Sequence, residues 1–166
     1  TNYVIFIPYV YYLKTNMNSN YFDFNSVLQK SKIDTNFKKF MFNHTLYILF
    51  SSGTTGVPNC ITHGAGNVLL EHNKEFSLHC KIFSKDKIFY YTTTGWMMWN
   101  WLVGGLASGA NLYLYDGSPT YPSNDTLVKF CSDEKINLFG VSAKYIDFLK
   151  NENLNFSNLN LSNLKI

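Results

Sequence analysis

A layered α/β fold with a mostly parallel sheet is the architecture this chain predicts, on three observations. From residue 87 to 150, short apolar runs alternate with longer segments of helical spacing, the order that sets strands in parallel with helices between them. A five-residue apolar run, Leu46-Tyr-Ile-Leu-Phe50, feeds Ser51-Ser-Gly-Thr-Thr-Gly-Val-Pro58, a loop that can neither extend a strand nor pack a core. The chain has 166 residues, 46% of them hydrophobic, enough to bury a substantial core.

Taken in order, Tyr3-Val-Ile-Phe-Ile7 reads as a buried strand stopped by Pro8. Lys14 to Asn43 is polar and Asn-rich, with Phe24 to Leu28 a short helix, so residues 1–45 read as a connecting segment with one strand. The main domain then runs over 46–166. Leu46–Phe50 is expected to be a buried strand, and Ile61-Thr62-His63 beyond the loop is extended. Gly64-Ala-Gly66 opens a helix from about Asn67 to His79, with Val68, Leu69, His72, Phe76 and His79 on one face. Lys87–Tyr91 is the next strand, ending in Thr92-Thr-Thr-Gly-Trp96, where an open α/β sheet places its ligand contacts. Met97–Ala107 reads as an apolar helix and Asn111–Tyr115 as a strand. After a loop at Pro119, Pro122 and Ser123 come an amphipathic helix (Asp125–Lys135), a short strand (Asn137–Phe139) and another helix (Ala143–Lys150). The tail repeats Asn and Leu every five residues from Asn153, for too few units to build a solenoid.

Composition excludes several functions. All 14 basic residues are Lys, and the net charge of +3 is spread without a basic block, so nucleic acid is not indicated. Cys60, Cys80 and Cys131 are far apart and odd in number, which suits free thiols in a reducing cytosol. No signal peptide is visible, because Pro8 interrupts the first apolar run and no basic region precedes it. Ile88 to Tyr115 carries no charge and is long enough to cross a bilayer. Its three threonines, Asn100, Gly104-Gly105 and Ser108-Gly-Ala-Asn111 fit strand–helix–strand better, and no membrane span is expected. His72 and His79 share a helix face without a third ligand, a pattern that reads as satisfied imidazoles and not as a metal site.

The loop after Phe50 carries the chemistry. Gly53 and Gly56 let backbone N–H groups approach a ligand closely, and Ser51, Ser52, Thr54 and Thr55 add hydroxyls that rotate to suit several oxygens. A strand feeding such a loop can cradle a polyphosphate. It is not a Walker-type loop, which needs Gly-Lys-Ser/Thr before a helix, whereas Gly56 is followed by Val57, Pro58 and Asn59. The competing reading is an ordinary Ser/Gly turn between two strands.

Ser51-Ser-Gly-Thr-Thr-Gly-x-Pro58 resembles the phosphate-binding signature of the adenylate-forming ligases, the AMP-dependent acyl-CoA synthetases. Asn43-His44 with Leu46, Tyr91-Thr-Thr-Thr-Gly-Trp-Met-Met-Trp-Asn-Trp-Leu102 and Tyr115-Asp-Gly-Ser-Pro119 narrow the likeness to its acetoacetate–CoA ligase branch. Phe139-Gly140 and Ser142-Ala-Lys-Tyr145 extend it, and Leu161-Ser-Asn-Leu-Lys165 resembles the segment leading into that family's next core strand. The likeness covers nearly all of this chain but only part of the family's large N-terminal domain.

The resemblance implies activation of acetoacetate, or a similar small acid, by ATP with Mg²⁺ as an acyl-adenylate, followed by transfer to CoA in the cytosol. It implies phosphate contacts from Ser51, Ser52, Gly53, Thr54, Thr55, Gly56 and Asn59, and an acyl pocket walled by Trp96, Met97, Trp99 and Asn100. Thr120 and Ser142 align with the CoA entrance, His63 is structural or near the substrate, and Trp101 reads as core packing. No catalytic residue and no metal ligand falls within this chain. The family's loop places Lys after the proline where this chain has Asn59, and a neutral amide does not replace an ammonium facing phosphate. Two readings follow: part of an acetoacetate–CoA ligase, or a non-catalytic remnant that binds nucleotide weakly. An incomplete domain is also expected to expose a core face and strand edges, and so to aggregate.

Overall fold

A computed structural model of the chain describes residues 4–7, 21–30, 36–51 and 56–166. It divides into two compact units, residues 1–39 and 40–166.

In the first unit, β1 (Val4–Phe6) pairs in parallel with β2 (Tyr21–Asp23), Val4 lying beside Tyr21. The chain passes directly from β2 into α1 (Phe24–Lys30). Asp23 starts that helix: its carboxylate accepts the Ser26 N–H at 3.1 Å, which satisfies one orphan donor of the first turn. The strand at the start and the short helix match expectation, while Tyr3 and Pro8 lie outside the described residues. β2 was not anticipated, and β1 is not buried, since Ile5 is 51% exposed. Two three-residue strands and one two-turn helix offer too little surface to enclose it.

The second unit opens with a hairpin. β3 (Thr45–Ser51) and β4 (Asn59–Gly64) run antiparallel, with Ile48 opposite Thr62 and Ser51 opposite Asn59. Tyr47, Leu49 and Ser51 are half-buried, but Leu46, Ile48 and Phe50 alternate outward and Phe50 is 71% exposed. The expected buried strand is therefore covered on one face only, because alternate residues of a strand point to opposite sides of its sheet.

From β4 the chain enters α2 (Ala65–Lys74), which widens into a π-helical turn over Glu75–His79. There the Cys80 N–H reaches back five residues to the Glu75 carbonyl at 2.8 Å. The wider turn changes the phase of the helix. His72 and Phe76 keep the inward face, Phe76 being fully buried, while Leu69 and His79 point outward and His79 lies 3.9 Å from the Glu75 carboxylate. The five-residue face expected from simple helical spacing holds only in part.

β5 (Lys87–Tyr90), β6 (Asn111–Tyr113) and β7 (Leu138–Gly140) form a wholly parallel sheet in the order β6-β5-β7. α3 (Met97–Gly104) tightens into a 3₁₀ turn over Gly105–Ser108 before β6. α4 (Thr126–Asp133) links β6 to β7, and α5 (Ala143–Asn151) follows β7. The uncharged stretch thus divides into strand, helix, turn and strand. Among the described residues no helix is long and apolar enough to cross a membrane.

β5 is covered on both faces. Ile88 packs with Phe76, Ile82, Leu102, Ala110 and Leu138 under α2 and α3, where the Trp101 ring lies 4.4 Å from that of Phe76. Phe89 packs on the other side with Leu127, Val128, Cys131, Ile136, Tyr145 and Leu149 of α4 and α5. Burial pushes the Cys131 thiol up to about 11 and the Tyr145 phenol up to about 12, so both are neutral packing groups. Leu154, Phe156, Leu159, Leu161 and Leu164 lay the tail across this second cluster, which accounts for its periodic leucines.

Core and hairpin differ in what a truncation costs. Phe89→Ala is expected to destabilise the chain by about 3–5 kcal/mol in urea unfolding, and Phe50→Ala on the exposed hairpin face by no more than about 0.5 kcal/mol.

The close approach of α2 to α3 carries a pH dependence. A Cβ on Gly104 would collide with the His72 ring, so the helices meet here only because residue 104 has no side chain. Burial holds the His72 imidazole below its ordinary value of 6.5, although the Glu71 and Glu75 carboxylates pull it upward. The unfolded chain therefore binds more protons than the folded one in the window just below 6.5. The His72 contribution is full above that window and is lost as pH falls through the folded value. The urea midpoint should drop between pH 7.5 and 5.5, and His72→Gln should flatten that slope.

Candidate functional site

The parallel sheet sets the geometry of the site. Beyond the C-terminal ends of β5 and β6 lies a cavity of about 690 Å³, walled by Tyr91, the Thr92-Thr93-Thr94 run, Trp96, Trp99, the 114–117 turn and Ser142. This is where loops leaving neighbouring parallel strands separate and open a crevice. Two helices start at its rim. Trp96 immediately precedes α3, and Ser142 caps α5, its hydroxyl accepting the Tyr145 N–H at 3.2 Å. Helix starts and threonine hydroxyls supply neutral donors suited to a carboxylate or phosphate. Asp116 is the one charged side chain among the described residues lining the cavity.

Two tyrosines fix the turn on the β6 side. The Tyr91 hydroxyl donates to the Gly117 carbonyl at 3.0 Å, and the Tyr115 hydroxyl donates to the Ser118 carbonyl at 3.2 Å. The first of these ties the end of β5 to the turn after β6 and so sets the width of the cavity mouth. The segment Tyr115-Asp-Gly-Ser-Pro119 was visible in sequence, but this latch joins residues 26 apart and left no local signal.

A second, larger space of about 840 Å³ lies between the hairpin and the sheet. Tyr47, Leu49 and His63 line one side, Asn67, Glu71 and His72 of α2 another, and Met97, Met98, Asn100 and Trp101 of α3 a third. Cys80 also lines it, with its thiol pushed up by burial and then by the Glu75 carboxylate, which keeps it protonated at neutral pH.

The residues expected to wall one acyl pocket divide between these two spaces. Trp96 and Trp99 face the strand-end cavity, whereas Met97 and Asn100 face the groove. Helix geometry explains the division. Met97, Asn100 and Trp101 follow one another at three and four residues and share a face, and Trp99 looks the other way.

Of the expected phosphate contacts, Ser52, Gly53, Thr54 and Thr55 lie outside the described residues. Ser51 and Asn59 are cross-strand partners at the loop end of the hairpin, so the loop joins two antiparallel strands. Gly56 is exposed, and a Cβ there would meet nothing within 4 Å. Thr120 donates its N–H to the Ser118 hydroxyl at 3.3 Å and does not line the cavity, while Ser142 does. Sequence reasoning missed the groove residues Asn67 and Glu71, which sit in an otherwise ordinary amphipathic helix. Among the described residues no group of three or more His, Cys, Asp or Glu side chains could hold a metal ion.

Comparison with known proteins follows this geometry. The family model for AMP-binding enzymes matches residues 14–166. An acetoacetyl-coenzyme A synthetase of Rhizobium meliloti (strain 1021) is 55% identical over 114 residues, which cover 69% of this chain and 18% of that protein. An acetoacetyl-CoA synthetase of Gallus gallus is 50% identical over 118 residues, covering 71% of this chain and 18% of its own length. Acetoacetyl-CoA synthetase from Streptomyces lividans superposes with a TM-score of 0.81 at 36% identity, covering 98% of this chain and 25% of that one. The chain spans 18% of the length of these two curated relatives. It belongs to the family of AMP-binding enzymes, the adenylate-forming ligases, and is related within it to the acetoacetyl-CoA synthetases.

Proposed function

We propose that the chain supplies the phosphate loop and part of the acyl-binding surface of a ligase that activates acetoacetate, or an acid of similar size, with ATP and passes it to CoA. The observation that carries this reading is the cavity beyond β5 and β6, narrowed by Trp96 and Trp99 and rimmed by threonine hydroxyls and two helix starts. Two bulky indoles on one wall favour a short acyl chain over a long one. Neutral donors at the rim suit its carboxylate, which must stay nucleophilic to attack the α-phosphate.

In that attack a carboxylate oxygen bonds to the α-phosphorus and the bond to pyrophosphate breaks. The chain's own contribution is orientation and charge stabilisation. The Ser51–Gly56 loop would hold the departing phosphates by N–H and hydroxyl donors, with Asn59 beside Ser51 where the loop rejoins the hairpin. Mg²⁺ would accompany the ATP phosphates. Among the described residues no group of side chains forms a protein cage for it. Residues 46–166 would then be one part of the AMP-binding domain, with 1–45 leading into it.

The second reading, a non-catalytic remnant with weak nucleotide affinity, is favoured by Asn59. Grafting residues 46–166 in place of the matching segment of the Rhizobium relative separates the two. Acetoacetate-dependent ATP–pyrophosphate exchange by the graft is expected, and its loss with the graft folded would leave the remnant reading. Asn59→Lys in the same graft should raise exchange by about 10- to 100-fold, the value of one charged contact to phosphate. Trp96→Ala should shift preference toward longer acids by about tenfold or more, since each methylene accommodated is worth about 1–3 kcal/mol.

A further inference from the structure

The strand-end cavity has two unlike flanks. β5 is the central strand of its sheet, with β7 on one side and β6 on the other. Ser142, at the start of α5, follows β7, and the 114–117 turn follows β6, so the two reach the cavity from opposite sides of β5. Two strand spacings, about 10 Å, separate those flanks. The β7 flank presents a hydroxyl and the positive end of a helix dipole. The β6 flank presents the Asp116 carboxylate.

Tyr91 ties the flanks together. It is the first residue past β5, and its N–H donates to the Gly140 carbonyl of β7 at 2.8 Å. Its hydroxyl reaches the Gly117 carbonyl on the other side at 3.0 Å. One residue thus spans the end of the sheet from β7 to the turn after β6. Tyr115 grips the same turn from within, since a Cβ on Gly117 would come 3.1 Å from its ring and its hydroxyl donates to the Ser118 carbonyl. Asp116 lies between the gripping ring and the latched carbonyl, so its backbone is held at the cavity wall.

We infer that Asp116, set in place by the Tyr91 latch, makes the cavity select acids that carry one negative charge and a neutral far end. The inference deepens the acyl-pocket reading and rests on it. The reacting carboxylate belongs on the β7 flank, toward the helix start. Tyr47 and Leu49 of β3, the strand that leads into the Ser51–Gly56 loop, stand across the groove from Leu138 and Phe139 of β7, so that flank is also the one nearer the hairpin. A short acid lying across β5 then brings its far end toward Asp116. A ketone or amide there is neutral, whereas a second carboxylate meets a like charge and is repelled. Discrimination by a repulsive group of this kind needs no added attraction for the preferred acid. Tyr91 is a positioning residue in this scheme and Asp116 the specificity determinant.

The test titrates the full 166-residue chain at pH 7.5 with succinamate and with succinate, following the Trp96 and Trp99 indole N–H signals. The two probes have nearly the same shape and differ in an amide against a carboxylate. Succinamate should bind about fivefold tighter or more, and high salt should narrow the difference. Asp116→Asn should bring the ratio below about twofold by tightening succinate. Tyr91→Phe, which keeps the ring and removes only the latch, should at least halve the ratio. Asp133→Asn makes the same change of charge on an exposed residue at the end of α4, next to Glu134, whose carbonyl accepts from Lys87 at the start of β5. That places it at the opposite end of the sheet, and the ratio should not move. Equal binding of the two probes, or a preference that survives Asp116→Asn, would overturn the inference and leave the acyl-pocket reading standing. Indole signals that respond to neither probe would overturn both.

Discussion

Burial of β5 on both faces is the constraint on which the second unit depends. Ile88 and Phe89 are adjacent in sequence and point to opposite sides of one sheet, so neither can be covered unless helices pack on both faces. α2 and α3 answer one requirement, and α4 and α5 the other. The tail follows from the same condition, because its leucines close the outer boundary of the Phe89 cluster. Each helix placed to cover β5 also begins or ends near a strand end, and the strand-end cavity is what remains between those ends.

The hairpin stands in another relation to the core. Its inner face, through Tyr47 and Leu49, bounds the groove, and its outer face with Phe50 is left to water. The strands that flank the Ser/Gly/Thr-rich loop thus form a two-stranded arm apart from the three-stranded sheet. An arm braced mainly on one side moves more readily than a central strand. The role proposed for that loop, admitting and releasing a polyphosphate, would suit such an element.

The alternation of strand and helix from Lys87 to Lys150 was legible because each element is long enough to show its period and turn residues separate them. Boundaries differ by a few residues where helices tighten or widen at their ends, as over Glu75–His79 and Gly105–Ser108. Burial was less legible. Leu46–Phe50 and Val4–Phe6 are as apolar as β5, yet composition records what a strand can pack against and not what surrounds it. The phosphate chemistry proposed for the loop after Phe50 rests on its residue types alone. The division of Trp96 and Trp99 from Met97 and Asn100 could not, since four neighbours in sequence look like one wall until the roughly 100° turn per residue of a helix is applied. Contacts such as Tyr91 to Gly117 depend on two strands being neighbours and leave no trace in either segment alone.

Lys81, Lys85, Lys135 and Asn153 have φ of +52°, +72°, +54° and +49°. They occupy left-handed positions after helices or in tight turns, where glycine meets no steric penalty. A side chain at such a φ carries about 1 kcal/mol of backbone strain. Native domains are stable by only about 5–15 kcal/mol, so four such positions are a considerable fraction of the margin. All four are Lys or Asn, the residues in which the whole sequence is rich. Lys and Asn at turn positions that glycine would fill without penalty therefore lower the stability of a fold without touching its core.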